Sequence, residues 1–171
     1  HRRPDLNVVE FRGNVQPRLR KQEDGVEKCT CLAMAGLNRL GMSDVAAGAI
    51  EPDDMLPAVA QCAIGVERRA DDTRVAAMLE AIHDTPTGQR LACERAFLAA
   101  LDGSCETPIA GLSVLEGGSI TLRGEVLRPD GSDSLAENET AAIEDGAAMG
   151  REVGLRLKSR APADFFDWMT H

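Results

Sequence analysis

The sequence contains no tyrosine, one tryptophan and four phenylalanines, so aromatics make up only 3% of its 171 residues. Stacking platforms for nucleic-acid bases and aromatic floors for sugars therefore lack their raw material. A positive charge balance is missing too: 19 Lys and Arg stand against 28 Asp and Glu, a formal charge of −9. With acidic positions scattered along the chain, neither nucleic acid nor an anionic membrane is an expected partner. No apolar run reaches the roughly 20 residues of a spanning helix, and the opening HRRPDLNVVEF has no signal-peptide architecture. A cytoplasmic, soluble protein is expected. Histidine is equally sparse: His1, His83 and His171 are far apart and two are terminal, which assembles neither a triad nor a zinc ligand set.

What is present is ordinary for a folded chain: 43% apolar residues suffice to bury a core in one domain or two small ones. Five cysteines, at 29, 31, 62, 93 and 105, are an odd number without a regular framework, which predicts free thiols in a reducing compartment. Cys29 and Cys31 lie two apart in an apolar run, point the same way in a strand, and read as structural filler.

Along the chain, LNVVEF (6–11) is a short β-branched run, and VQPRLRKQEDG has helical spacing with Pro17 in the first turn and Gly25 as a stop. KCTCLAMAG predicts a second, buried strand over about 28–34, and GLNRLG a short returning helix. Two prolines in EPDDMLPAVAQC mark a change of structural unit, after which CAIGVERR reads as a strand over 62–67. DDTRVAAMLEAIHD places Val75, Met78, Leu79 and Ile82 on one helical face. A further helix starts at Thr85 or Thr87, carries Leu91, Glu94, Arg95, Leu98 and Leu101 at one-turn intervals, and stops at Gly103. Beyond it, the turn chemistry of EGGS and PDGS divides residues 107–141 into three antiparallel strands. The final stretch, IEDGAAMGREVGLRLKSRA, offers Ile143, Ala147, Val153 and Leu157 to cover one face of that sheet.

Two places carry candidate chemistry. In EFRGNVQPRLR a strand end, the turn Arg12-Gly13-Asn14 and a helix start put guanidinium groups beside free N–H donors, the outline of an anion site. Arg18, one turn on, and Arg39 after the adjacent strand fall toward the same end of a parallel sheet; ordinary surface charge is the competing reading. In DGSCETPIAG, Cys105 follows a helix stop, so it is either a small buried residue at a helix end or an accessible thiol on a loop. Asp53-Asp54 and Asp71-Asp72 read as helix caps rather than as acid–base pairs.

In order and spacing, RRPDLNVVEFRGNVQPRL, LAMAGLNRLG, LPAVAQCAIGVERRADD, ERAFLAALDGSCETPI and LRGEVLRPDGS resemble the porphobilinogen deaminase (hydroxymethylbilane synthase) family across the whole chain. The resemblance implies a transferase that condenses four porphobilinogen molecules head to tail, losing ammonia each time, onto a dipyrromethane cofactor joined to Cys105 by a thioether. It places Arg12, Arg18 and Arg39 in a cleft for pyrrole acetates and propionates. It further implies that residues 1–56 are the latter part of domain 2 of a periplasmic-binding-protein-like α/β pair, that 57–84 cross back to domain 1, and that 85–171 form a small α+β domain. The family's catalytic aspartate would then lie upstream, the missing N-terminal half would be a partner, and the isolated chain would be inactive. Departures from the family pattern are Ala60 and Cys62 for two glycines of V-G-Q-G-A, Arg68 for a common cysteine, and Ser104 for the second glycine of G-G-C. They leave a second expectation, of a non-catalytic, truncated or divergent copy that binds an anionic ligand or serves as a scaffold.

Overall fold

The computed structural model describes residues 1–104 and 106–170. It divides into two compact units, one of residues 3–51 and the other of residues 1–2 together with 52 onward.

In the smaller unit, helix α1 spans Val15–Glu23. It begins where Pro17 fits a first turn and ends where Gly25 turns left-handed, with φ +75°. Helix α2, Met34–Arg39, stops before Gly41, at φ +66°. Leu37, 2% exposed, is the one buried residue among those described in this unit. Neither 6–11 nor 28–34 forms a strand, and neither does 62–67 in the larger unit, contrary to the sequence reading. A strand is stabilised by a hydrogen-bonded neighbour and a covered face, and among the described residues these segments have neither. Val8 at 90% and Ile64 at 86% exposed show the result. Cys29 and Cys31, expected to be buried filler, are exposed for the same reason.

The larger unit holds the core. Helix α3, Thr73–Glu80, is capped by Asp72, whose carboxylate accepts from the Val75 N–H. Helix α4, Thr85–Ala100, is capped by Asp84, which accepts from the Thr87 N–H at 2.8 Å, with Pro86 at the start where its missing donor costs nothing. The sheet that follows runs β1 (Ile109–Glu116), β2 (Ser119–Leu127) and β3 (Ser134–Ala142), antiparallel in that spatial order, with Leu112 opposite Arg123 and Arg123 opposite Asn138. Burial alternates strictly along β2: Ile120, Leu122, Gly124 and Val126 face inward. Helix α5, Gly146–Arg160, lies with α4 against that inward face.

The two helices approach closely because α5 carries glycines every fourth residue. A Cβ on Gly150 would stand 2.2 Å from the Cys93 carbonyl oxygen, and one on Gly154 would stand 2.7 Å from the Ala100 Cβ. Met149, Gly150, Val153, Gly154 and Leu157 therefore form the buried stripe, while Ala147, expected to share it, is exposed. Phe97, Phe165, Leu101, Ile120, Leu122, Leu157, Val126 and Val153 are essentially fully buried. Each such side chain is stabilised by about 2 kcal/mol on burial, against a net folding free energy of only about 5–15 kcal/mol. Stability thus resides in this unit. Phe165 comes from the C-terminal segment, held by the Arg128 guanidinium 5.1 Å above its ring and by the Arg128–Asp164 ion pair at 3.0 Å.

Candidate functional site

The turn of EFRGN is built around Phe11. Gly13, at φ +131°, lets the chain reverse, and a Cβ there would meet the Pro17 Cβ at 3.3 Å. Asn14 occupies the N-cap of α1 without a side-chain cap bond, so its side chain leaves the first-turn N–H donors unclaimed. Arg18 lies with its guanidinium carbon 5.6 Å from the Phe11 ring centroid, and Lys21 has its ammonium 5.5 Å from the same centroid. Lys21 also donates to the Arg12 carbonyl at 2.8 Å. The Arg12 side chain, 84% exposed, pairs with Glu10 at 2.6 Å, a solvent-screened contact that a stronger anion can displace. Arg12 and Arg18 are thus tied to one turn through Phe11 and Lys21. Arg39 stands exposed at the end of α2, with no tie to them among the described residues. Lys21 escaped the sequence reading, although it sits one turn after Arg18 on the same helix face.

Cys105 lies outside the described residues, as does His171, but the frame of its loop is clear. Helix α4 ends in a paired cap: the Gly103 N–H donates to the Leu98 carbonyl and the Asp102 N–H to the Ala99 carbonyl. The left-handed residue there is Asp102, φ +54°, not Gly103. Asp102 pairs with Lys158 of α5, and a Cβ on Gly103 would meet the Ile109 and Leu98 Cδ1 methyls at 2.5 and 2.6 Å, so those side chains would have to shift. Downstream, the Ser104 N–H donates to the Thr107 hydroxyl at 3.0 Å, and that hydroxyl donates to the Ser104 carbonyl at 2.7 Å. Ser104 and Glu106 are exposed.

The segment entering the larger unit is strained. Ala60 and Cys62 take φ +61° and +66°, values that favour glycine. The Gly111 N–H donates to the Pro57 carbonyl at 3.0 Å, and Ala58 bridges Ala110 on the free edge of β1. Glu94 of α4, only 6% exposed, accepts the Ala60 N–H on Oε2 and the Ser113 N–H on Oε1, each at 2.8 Å. A cavity of about 260 Å³ opens here, lined by Gln61, Cys62, Arg90, Glu94 and Ser113 among others. Beside it, burial pushes the Cys93 thiol above its usual pKa. Of the expected acidic caps, Asp72 caps α3, whereas Asp53 pairs with Arg123 at 2.5 Å instead. The described residues include no group of three or more His, Cys, Asp or Glu placed to hold a metal, and no helix long and apolar enough to cross a membrane.

Fold and site together define an α+β protein with an appended small helical unit bearing an arginine-rich turn. Residues 1–77 match the family profile described as porphobilinogen deaminase, dipyromethane cofactor binding domain, and residues 89–159 match porphobilinogen deaminase, C-terminal domain. The curated porphobilinogen deaminase of Paracoccus denitrificans (strain Pd 1222) is 64% identical over 167 residues, 98% of this chain and 53% of that protein. That of Nitrobacter hamburgensis (strain DSM 10229 / NCIMB 13809 / X14) is 48% identical over 164 residues, 96% of this chain and 52% of that protein. The chain belongs to the porphobilinogen deaminase family. It spans about half the length of these curated relatives. Arg12, Arg18 and Arg39 fall within the first matched region and Cys105 within the second.

Proposed function

We propose that this chain is the cofactor-carrying and carboxylate-binding part of a hydroxymethylbilane synthase, the transferase that builds a linear tetrapyrrole from porphobilinogen in porphyrin biosynthesis. The observation that carries the reading is 64% identity to a porphobilinogen deaminase over 98% of the chain. In this reading Cys105 holds dipyrromethane through a thioether, and the bound dipyrromethane supplies the primer on which pyrrole units are added. The fit rests on the exposed flanks Ser104 and Glu106 and on the two bonds that tie Ser104 to Thr107.

The arginines have a matching task. Each porphobilinogen unit carries an acetate and a propionate, so a growing chain brings two carboxylates per unit, and guanidinium forks bind carboxylates bidentately. Arg12 is free to exchange Glu10 for such a group, whereas Arg18, on the Phe11 ring, is held in place by the turn itself. Arg39 would join them as a third cation. Residues 1–56, 57–84 and 85–171 would then be successive parts of the larger enzyme's second, first and third domains. The acid that assists deamination would come from the remainder of that enzyme, in the cytoplasm, and the 171-residue chain alone would not turn over.

Mass spectrometry of the chain co-expressed with the other half of the enzyme tests this. The expected result is a dipyrromethane adduct that vanishes in Cys105→Ala along with activity. An unmodified wild-type chain in a fully active enzyme would overturn it.

A further inference from the structure

We propose that Glu94 is a latch: its buried carboxylate bridges the free edge of the sheet and the strained turn at Ala60–Cys62, and so fixes how the chain enters the C-terminal unit. The argument begins at the edge. Among the described residues, strand β1 pairs with a strand, β2, on one side only, and alternate N–H groups of an edge strand point away from the sheet. Gly111 and Ser113, two apart, are such a pair. Gly111 finds the Pro57 carbonyl, and Ala58 makes a single bridge to Ala110. There the backbone pairing ends, and the Ser113 N–H is met by Glu94 Oε1 instead. The other oxygen, Oε2, takes the Ala60 N–H. One carboxylate thus stands in for a missing strand neighbour and holds the turn beside it.

The chemistry of the group explains the choice. An ionised carboxylate accepts on both oxygens, and two N–H donors offset part of the cost of burying its charge. A glutamine in the same place accepts on one oxygen and presents donors to the second N–H. The turn needs holding because both Ala60 and Cys62 adopt left-handed backbone that non-glycine residues leave readily. Glu94 is therefore a positioning residue, and it acts on the backbone alone, so the assignment stands apart from the proposed enzymatic role.

Amide-resolved hydrogen exchange of the 171-residue chain tests the latch. In the wild type the Ala60 and Ser113 amides should exchange at least tenfold more slowly than the Cys62 amide, which donates to no acceptor among the described residues. In Glu94→Gln the Ala60 amide should accelerate at least tenfold, while Leu122 and Val126 in the middle strand keep their protection. An Ala60 amide exchanging as fast as that of Cys62 in the wild type overturns the proposal, as does an unchanged Ala60 rate in folded Glu94→Gln. Should the variant lose protection in β2 as well, the wild-type comparison alone decides.

Discussion

At three positions where the resemblance to the porphobilinogen deaminase family implies glycine, this chain has Ala60, Cys62 and Ser104, and the backbone treats them differently. Ala60 and Cys62 sit at φ +61° and +66°, whereas Ser104 is not among the residues with positive φ. A left-handed conformation costs a side-chain-bearing residue about 1–2 kcal/mol, partly offset because glycine loses about 0.5–1 kcal/mol more in backbone entropy on folding. Ala60→Gly and Cys62→Gly should therefore each stabilise the chain by about 0.5–1 kcal/mol, read as a higher urea midpoint with an unchanged slope. Ser104→Gly should give no gain, since nothing is relieved there and the bond from the Glu106 N–H to the serine hydroxyl is lost. Comparison with the family's glycines pointed to all three positions; which of them are strained depended on backbone angles set by tertiary contacts.

At the scale of elements, the C-terminal half was legible in full, whereas in the N-terminal half the helices α1, α2 and α3 were legible and the strands were not. Helix α4 begins at Thr85 as its spacing indicates, and the EGGS and PDGS turns delimit the three strands. These signals are local: a carboxylate cap, a glycine pair in a hairpin, a period of two. Asp84 shows how such a signal can be tested. The Thr87 side chain and N–H hold its carboxyl below the usual carboxylate pKa, so the folded state binds a proton less readily than the unfolded one. Its contribution is present above the unfolded value and is lost as pH falls through the lowered folded one. Asp84→Ala should lower the urea midpoint at neutral pH, and the gap from wild type should close as pH drops below about 4. A gap that persisted in acid would show that the cap works without its charge. The segments 6–11, 28–34 and 62–67 carry strand composition but no strand, because composition states only what a segment favours once a neighbour is present.

Across the whole molecule, the two units differ in what holds them. Residues 3–51 bury Leu37 and expose Leu6, Val8, Val9, Val26 and Val45, while residues 52 onward enclose a core of helices on a sheet. Regions with few buried apolar contacts open most easily. Amide exchange and limited proteolysis of the dilute chain should therefore find residues 3–51 open or cut first, with the strongest protection in β2 and α5. Exposed apolar surface in the smaller unit should also drive self-association as concentration rises. Equal protection across residues 3–51 and 109–157 in a dilute monomer would contradict this division.

The sequence by itself determined the α+β character of the C-terminal unit, the cationic turn at Arg12 and, through its motifs, the family. Each depends on residue identity or on contacts within a few residues, where pattern and physics coincide. Only the tertiary structure decided that Glu94 turns inward to bridge Ala60 and Ser113, that Gly150 and Gly154 let α5 close on α4, and that Phe165 completes the core. Those outcomes depend on which surfaces meet after the chain has folded. A carboxylate in an amphipathic helix, a glycine in a helix and a phenylalanine near a terminus have no fixed role until their neighbours arrive from 19 or more positions away.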